Sequence, residues 1–251
     1  MFMLKFAGLA GVLVLWSGIT YSGWVDGRFL PNPSQFVQHL SDILVSGYGG
    51  KPLWEHVAMS MFRALSGFLL GGLLGVPVGL LIGYYRRAGE ALDMLFAFLR
   101  PIPPIAYIPL AALYLGLGEA SKISLITWAV FLFVVLNVQV GVGSVRQTLL
   151  RAGSNIGLAG FQLFRHVIFP SVLPNIMAAL RTGLSIAWAL VVAAELLAAQ
   201  SGLGYMIQAA ATFFHLDTVF VGILLIGLIG LTLDTLLMAV HRRLLHWEGK
   251  M

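Results

Sequence analysis

Ionisable side chains are scarce in this chain, and where they fall narrows the chemistry open to it. Arg63, Arg100, Arg181, Glu195 and Asp234 sit inside long apolar stretches. A charge held there costs about 2.5–3.5 kcal/mol on insertion scales unless it is paired or faces a polar route. Arg63 and Glu195 fall in one layer, each near the same end of its stretch, within reach of pairing. Arg100, Arg181 and Asp234 fall in the other layer, where Asp234 paired with Arg181 or Arg100 would neutralise it. Two readings follow: pairs that hold a bundle together, or an arginine that draws an anion along a path. The arginine fork suits sulfonate and carboxylate oxygens, so Arg100 on a path would fit an anionic or zwitterionic solute. Other chemistries find no support. The six histidines (His39, His56, His166, His215, His241, His246) lie in loops, at stretch edges or near the C-terminus, and no HExxH occurs. No cysteine is present, which excludes disulfides and thiolate metal sites. No Gly-Lys-Ser or Gly-Lys-Thr occurs, so no phosphate loop is expected. No catalytic, cofactor-binding or metal residue is assigned, and nucleotide is not expected to bind this chain.

These charges need elements to place them. The chain has 251 residues, is 59% hydrophobic and 10% charged, with a mean hydropathy of +0.92. A soluble domain of this length could not hide so much apolar surface, so lipid is the expected solvent and the fold class is all-α integral membrane. Crossing a bilayer takes about 20 apolar residues. Six stretches qualify: about 6–25, 57–85, 91–116, 122–144, 171–198 and 217–240. The first also resembles a secretory signal, with Lys5, an apolar run and small residues at Ser22 and Gly23. With both termini inside, the inner segments hold Lys5, Arg86, Arg87, Arg146, Arg151, Arg165, Arg242, Arg243 and Lys250, against Arg28, Lys51 and Lys122 outside. Nine against three sets the orientation. The expected organisation is a first helix over 1–25, an outer segment over 26–56, and a core over 57–251 with an inner loop at 145–170.

Several interruptions carry information. In the outer segment Phe36, Val37, Leu40, Ile43 and Leu44 share a helical face behind Pro33, which predicts an amphipathic helix. Gly67, Gly71, Gly75, Gly79 and Gly83 recur every fourth residue and predict close backbone packing inside a bundle. Arg100-Pro101-Ile102-Pro103-Pro104 and Pro109 break the third stretch, either as a packing kink or as the border of a path. After the fifth stretch, Ser201, Gly202 and Gly204 break the helix before Tyr205 and Met206, giving either a lid over a path or a plain connection.

The inner loop reads Arg151-Ala152-Gly153-Ser154-Asn155-Ile156-Gly157, nine residues, then Val167-Ile168-Phe169-Pro170. This resembles the loop signature of importer permeases of the ATP-binding-cassette (ABC) class: Glu-Ala-Ala, three residues, Gly, nine residues, Ile, any residue, Leu-Pro. The spacing agrees throughout, and Ala152, Gly157 and Pro170 agree in identity. Arg151 stands in the glutamate position and Gly153 in that of the second alanine. Arg100–Pro104, Gly116–Lys122, Ala194-Glu195-Leu196 and Ser201–Met206 resemble the nitrate, sulfonate, taurine and bicarbonate branch. His241-Arg242-Arg243, Trp247 and Gly249-Lys250 lean toward taurine or alkanesulfonate permeases.

The resemblance implies a type I importer permease fold and alternating access in the inner (plasma) membrane of a bacterium. It implies two copies of this chain, two ABC ATPase subunits that bind ATP and Mg, and a periplasmic or lipid-anchored substrate-binding protein. Nucleic acid is not among the partners. Coupling to the ATPase would fall to Arg151, Ala152, Gly153, Gly157, Phe161, Phe164, Arg165 and Pro170, on two short helices hinged at Gly157. Path and gate would fall to Arg100, Pro101, Pro103, Pro104, Glu195, Ser201, Gly204, Tyr205 and Met206. Two rival classes fit the sequence less well. An intramembrane hydrolase lacks its constellation. An ion-coupled secondary transporter should show two repeated halves, which are not evident, and would leave the inner loop unexplained.

Overall fold

The computed structural model describes residues 2–27 and 29–245. Arg28, His246, Trp247, Gly249 and Lys250 lie outside them, as do the side chains of Lys5 and Arg86. The described residues form helices joined by turns and loops, with no strand pairing among them beyond one isolated bridge, Tyr48 with Lys51. In order the helices are α1 (Phe2–Tyr21), α2 (Pro33–Ser46), α3 (Leu53–Tyr84), α4 (Arg86–Leu99), α5 (Ile108–Leu115), α6 (Glu119–Gly143), α7 (Gln147–Asn155), α8 (Phe161–Leu163), α9 (Phe169–Ala198), α10 (Leu203–Thr212) and α11 (Leu216–Leu244). A 3₁₀ turn, Pro104–Tyr107, leads into α5, and a π turn, Phe164–Ile168, joins α8 to α9. Two compact units emerge: residues 1–60 with 195–228, and residues 61–194 with 229–251.

In the first unit, α2 starts as the sequence predicts. Asn32 caps it in a reciprocal box with Gln35, and Pro33 occupies the first turn, where its missing N–H costs nothing. Its inward face is narrower than expected: Ile43 is buried and Phe36 meets Trp16 edge-on at 5.7 Å, while Val37 and Leu44 stay exposed. Trp16 also donates its indole N–H to the Pro31 carbonyl. Helix α1 stops at Tyr21, short of the expected end at residue 25, because Gly23 turns the backbone at φ +75°.

In the second unit the glycine row sets the packing. A Cβ built on Gly67, Gly71, Gly75, Gly79 or Gly83 meets Ile126, Val130, Val134, Val138 or Val142 respectively, at about 2.5–3.0 Å. Both rows advance by four, so α3 and α6 run parallel in contact through five successive levels. Bare glycines let the backbones approach, and the β-branched residues opposite fill the groove with few rotamers to lose. Helix α9 runs the other way: Gly141 of α6 faces Val172 and Asn175, and Gly183 faces Val130 and Val134. Helix α11 reverses again, with Gly230 against Trp188 and Asp234 against Arg181.

Two parallel neighbours joined by one connection require that connection to return to the end where α3 began. Residues 85–118 do this, but not as the single helix expected over 91–116. The two arms, 87–99 and 104–115, meet at 84°. The prolines are the cause: Pro101, Pro103 and Pro104 each remove a backbone donor. Val78, Leu92, Phe96, Leu132 and Val135 pack the first arm against α3 and α6.

A second departure concerns the fifth apolar stretch. The helix begins at Phe161, ten residues before the expected start, and runs through the π turn to Leu196. Pro170 and Pro174 therefore lie within a continuous helix rather than opening one. The wider π turn just before Pro170 accommodates a residue that cannot donate one turn back. By length and apolarity, α3, α6, 161–196 and α11 each suffice to cross a membrane, and the bent pair makes a fifth if taken as one; α1 contributes a shorter apolar run, Ala10–Tyr21.

Candidate functional site

At the end of the second unit where α3 and α6 finish, the chain forms the inner loop. Helix α7 ends in a Schellman motif. Leu158 N–H donates to the Gly153 carbonyl at 3.1 Å, and Gly157 N–H donates to that of Ser154 at 3.0 Å. The motif requires a left-handed residue after the cap, and Gly157 supplies it at φ +86° with open space around it. Its backbone conformation, not a lack of room, calls for glycine at this hinge. Gly153 does the opposite: a Cβ there would meet Leu163 at 2.7 Å and Val167 at 3.0 Å, so bare backbone lets the two arms of the loop close. The glycine in the second alanine position thus has a local reason. Arg151, Ala152, Arg165 and Pro170 are exposed. Ile156 and Phe161 are 78% and 73% exposed, which leaves an apolar patch on the loop's tip. Phe164 points inward, edge-on to Tyr84 at 5.4 Å and beside Phe161 and Phe169. It ties the loop to the last turn of α3. Arg87, Arg146, Arg242 and Arg243 gather at this same end of the helices.

A buried network organises the first unit around the start of α10. Its cap residue, Gly202, has no side chain, so the free N–H groups are satisfied from other helices. Leu203 N–H donates to Ser60 Oγ at 2.9 Å, and Gly204 N–H donates to the Glu195 carboxylate at 2.9 Å. Ser60 donates its hydroxyl to the same carboxylate at 2.8–2.9 Å. Glu195 is 1% exposed, and a carboxylate at a helix N-terminus is where the helix dipole favours it. His56 Nδ1 lies 3.2 Å from both the amide nitrogen and the carbonyl oxygen of Gly202, and Nε2 donates to the Tyr48 carbonyl at 3.1 Å. Tyr205 stacks flat on His56 at 6.1 Å. Burial and, secondarily, Tyr205 push the Tyr48 hydroxyl pKa upward. Ser201, Gly204 and Met206 are buried within this knot.

Elsewhere the charges pair. Arg63, 1% exposed, grips Glu119 with both Nε (2.5 Å) and Nη2 (2.7 Å), and buried Lys122 reaches the same carboxylate at 3.2 Å. Asp234 takes Arg181, not Arg100, of its two possible partners: Nε to Oδ1 is 2.6 Å and Nη2 to Oδ2 is 2.7 Å. Arg100 caps α4 at the bend, exposed and without an ion pair among the described residues. Pro101 and Pro103 are exposed beside it, and the Tyr107 hydroxyl is buried with no hydrogen-bond partner among the described residues.

Reading residue types missed His56, Ser60 and Glu119 as partners. His56 and Ser60 lie on the face of α3 that carries Arg63, an i, i+4, i+7 signal available in the sequence. Glu119 had no such signal, since it approaches Arg63 only through the parallel packing of α3 and α6.

Residues 75–246 match the family of the binding-protein-dependent transport system inner membrane component. The chain belongs to this family. The taurine transport system permease protein TauC of Escherichia coli K12 is 38% identical over 248 residues, spanning 98% of this chain and 90% of that one. The putative aliphatic sulfonates transport permease protein SsuC of Bacillus subtilis 168 is 35% identical, spanning 96% and 86%. The nitrate import permease protein NrtB of Synechocystis is 32% identical, spanning 90% and 83%. The fold is shared with a chain of the methionine ABC transporter MetNI solved in inward-facing conformations, at a TM-score of 0.53 and 21% identity over 75% of this chain and 94% of that one. This inner membrane component is thus an ABC-transporter permease, a multi-pass membrane protein and a transport subunit rather than an enzyme.

Proposed function

We propose that the chain is the permease of an ATP-driven importer and moves a small anionic or zwitterionic solute, taurine or an alkanesulfonate, by alternating access. Two copies enclose one path. Two ABC ATPase subunits bind ATP and Mg, this chain binding neither, and a periplasmic or lipid-anchored binding protein delivers the solute. The chain crosses the membrane six times with both termini in the cytoplasm, in three parts: a first helix over 1–25, an outer segment over 26–56 and the core over 57–251. The return of 85–118 to the starting end of α3 and the clustering of arginines at the loop end support this topology.

The observation that carries the reading is the inner loop. A short helix with an exposed apolar tip, closed on its own second arm by Gly153 and hinged at Gly157, is shaped to enter a groove on a soluble partner. Arg151, Ala152, Gly153, Gly157, Phe161, Phe164, Arg165 and Pro170 form the coupling element. A push on Phe161 reaches α3 through Phe164 and Tyr84. The route is bordered by the bend at Arg100, Pro101, Pro103 and Pro104, where Arg100 and the buried Tyr107 hydroxyl have no ion-pair or hydrogen-bond partner, respectively, among the described residues. Glu195, Ser201, Gly204, Tyr205 and Met206 hold α10 as its outer lid.

The test is ATP-dependent taurine uptake by the reconstituted transporter carrying Gly157→Val. A β-branched residue at φ +86° breaks the Schellman turn. Uptake should fall about ten-fold or more with ATP hydrolysis uncoupled from it, a loss of the order expected for about 1–3 kcal/mol of backbone strain. Unchanged coupled transport would remove the loop from the mechanism.

A further inference from the structure

Arg181 and Asp234 lie near the middle of two long apolar helices, yet their side chains are 46% and 32% exposed. Facing hydrocarbon, such a pair would carry a cost that its own ion pairing offsets only in part. Water, solute or protein must therefore meet it in the membrane. Beside it opens a cleft of about 340 Å³, lined by Met177, Ala178, Leu237 and Met238 and continued by His241 and Arg242 toward the basic end of the helices. The cleft thus joins a mid-helix charge to a polar exit.

We infer that Arg181 is an anion contact on the solute's route and that Asp234 is its resident stand-in, an inference that rests on the importer reading above. The two parallel bonds from Arg181 use one edge of the guanidinium on two oxygens of one carboxylate. A sulfonate, a carboxylate and a nitrate each present a pair of oxygens at a similar spacing, so any of them can take Asp234's place on the same guanidinium edge. Displacement leaves the Asp234 carboxylate, already 32% exposed, to the polar side of the cleft, and its pull back toward Arg181 favours release of the anion. This gives a contact strong enough to admit an anion and weak enough, with Asp234 waiting, to release it toward Arg242. Lysine at 181 would keep the charge and an ion pair to Asp234 but lose the fork.

The test uses the complete transporter, with binding protein and ATPase, in phosphatidylcholine vesicles, and taurine, ethanesulfonate and nitrate as separate probes. Arg181→Lys should assemble and keep binding-protein-stimulated ATP hydrolysis, while uptake of the transported probe falls about ten-fold or more through loss of a charged hydrogen bond. The exchange Arg181→Asp with Asp234→Arg should restore assembly but not uptake. A purely structural pair predicts the reverse, with the exchange recovering uptake, and that result would overturn the inference. So would wild-type uptake by Arg181→Lys. An uptake defect appearing only when phosphatidylglycerol is added would assign the arginine to a lipid headgroup instead. If the unaltered transporter hydrolyses ATP on demand but carries none of the probes, the anion assignment fails and this inference with it. If it carries one and the variants do too, only the role of Arg181 fails.

Discussion

Replacing Gly71 with alanine tests the contact on which the second unit is built. The added Cβ would lie 2.7 Å from Val130 Cβ and 2.8 Å from the Thr127 carbonyl oxygen. Carbon atoms pack best at about 3.5–4.0 Å, so the shortfall approaches about 1 Å. Neither neighbour can yield alone. Val130 Cβ is fixed to its backbone, and the Thr127 oxygen is backbone itself. Helices α3 and α6 must part locally, which also loosens the Gly67 and Gly75 levels on either side. Overpacking of this kind costs about 1–3 kcal/mol. Alanine also gains about 1 kcal/mol of helix propensity over glycine, which would blur a single measurement. Gly72→Ala removes that ambiguity. It carries the same propensity gain one residue away, but its Cβ meets only the mobile end of Leu180 at 3.0 Å. The difference between the two variants is therefore the packing term alone. At about 2–4 °C per kcal/mol for a chain of this size, Gly71→Ala should melt about 2–12 °C below Gly72→Ala in detergent-solubilised permease. Equal melting temperatures, or a higher one for Gly71→Ala, would refute the parallel glycine–valine contact and the topology drawn from it.

Two further substitutions probe the first unit. Gly202 has φ +122° and ψ 164°, a region open essentially to glycine, and a Cβ there would run into the Glu195 carboxylate. Gly202→Ala should cost about 1–3 kcal/mol in strain alone and speed amide exchange at 203–206; unaltered exchange would show that the network does not hold α10. Phe214, 82% exposed, takes the left-handed position after α10 at φ +58°, where glycine is favoured. Phe214→Gly should raise the melting temperature, by an amount corresponding to about 1 kcal/mol, and a fall would mean that the phenyl ring contributes more than its strained backbone costs.

Much of the architecture follows from patterns local in the chain. Apolar length marked α3, α6, α9 and α11, because lipid rewards it wherever it occurs. Pro33 and the apolar face behind it announced α2, and the Asn32–Gln35 cap that starts it involves only neighbours in sequence. The spacing around Gly157 announced a turn whose hydrogen bonds close within six residues. The glycine row announced a close helix contact, though not its partner. In the third and fifth apolar stretches, where the pattern misled, a nearby proline or π turn was the cause. Apolarity continues through Pro101–Pro104 although the backbone ladder does not, and the helix before Pro170 survives by widening.

The residue types alone determined a membrane protein with a hinged inner loop and a few charges too costly to be incidental. Only the tertiary structure decided which charges meet: Arg63 with Glu119, Arg181 with Asp234, Glu195 with Ser60 and the start of α10. The reason is one of range. Caps, turns and apolar runs are settled within a few residues, whereas an ion pair between helices depends on their direction and register. Those come from how glycine and valine rows interlock across residues far apart in the chain.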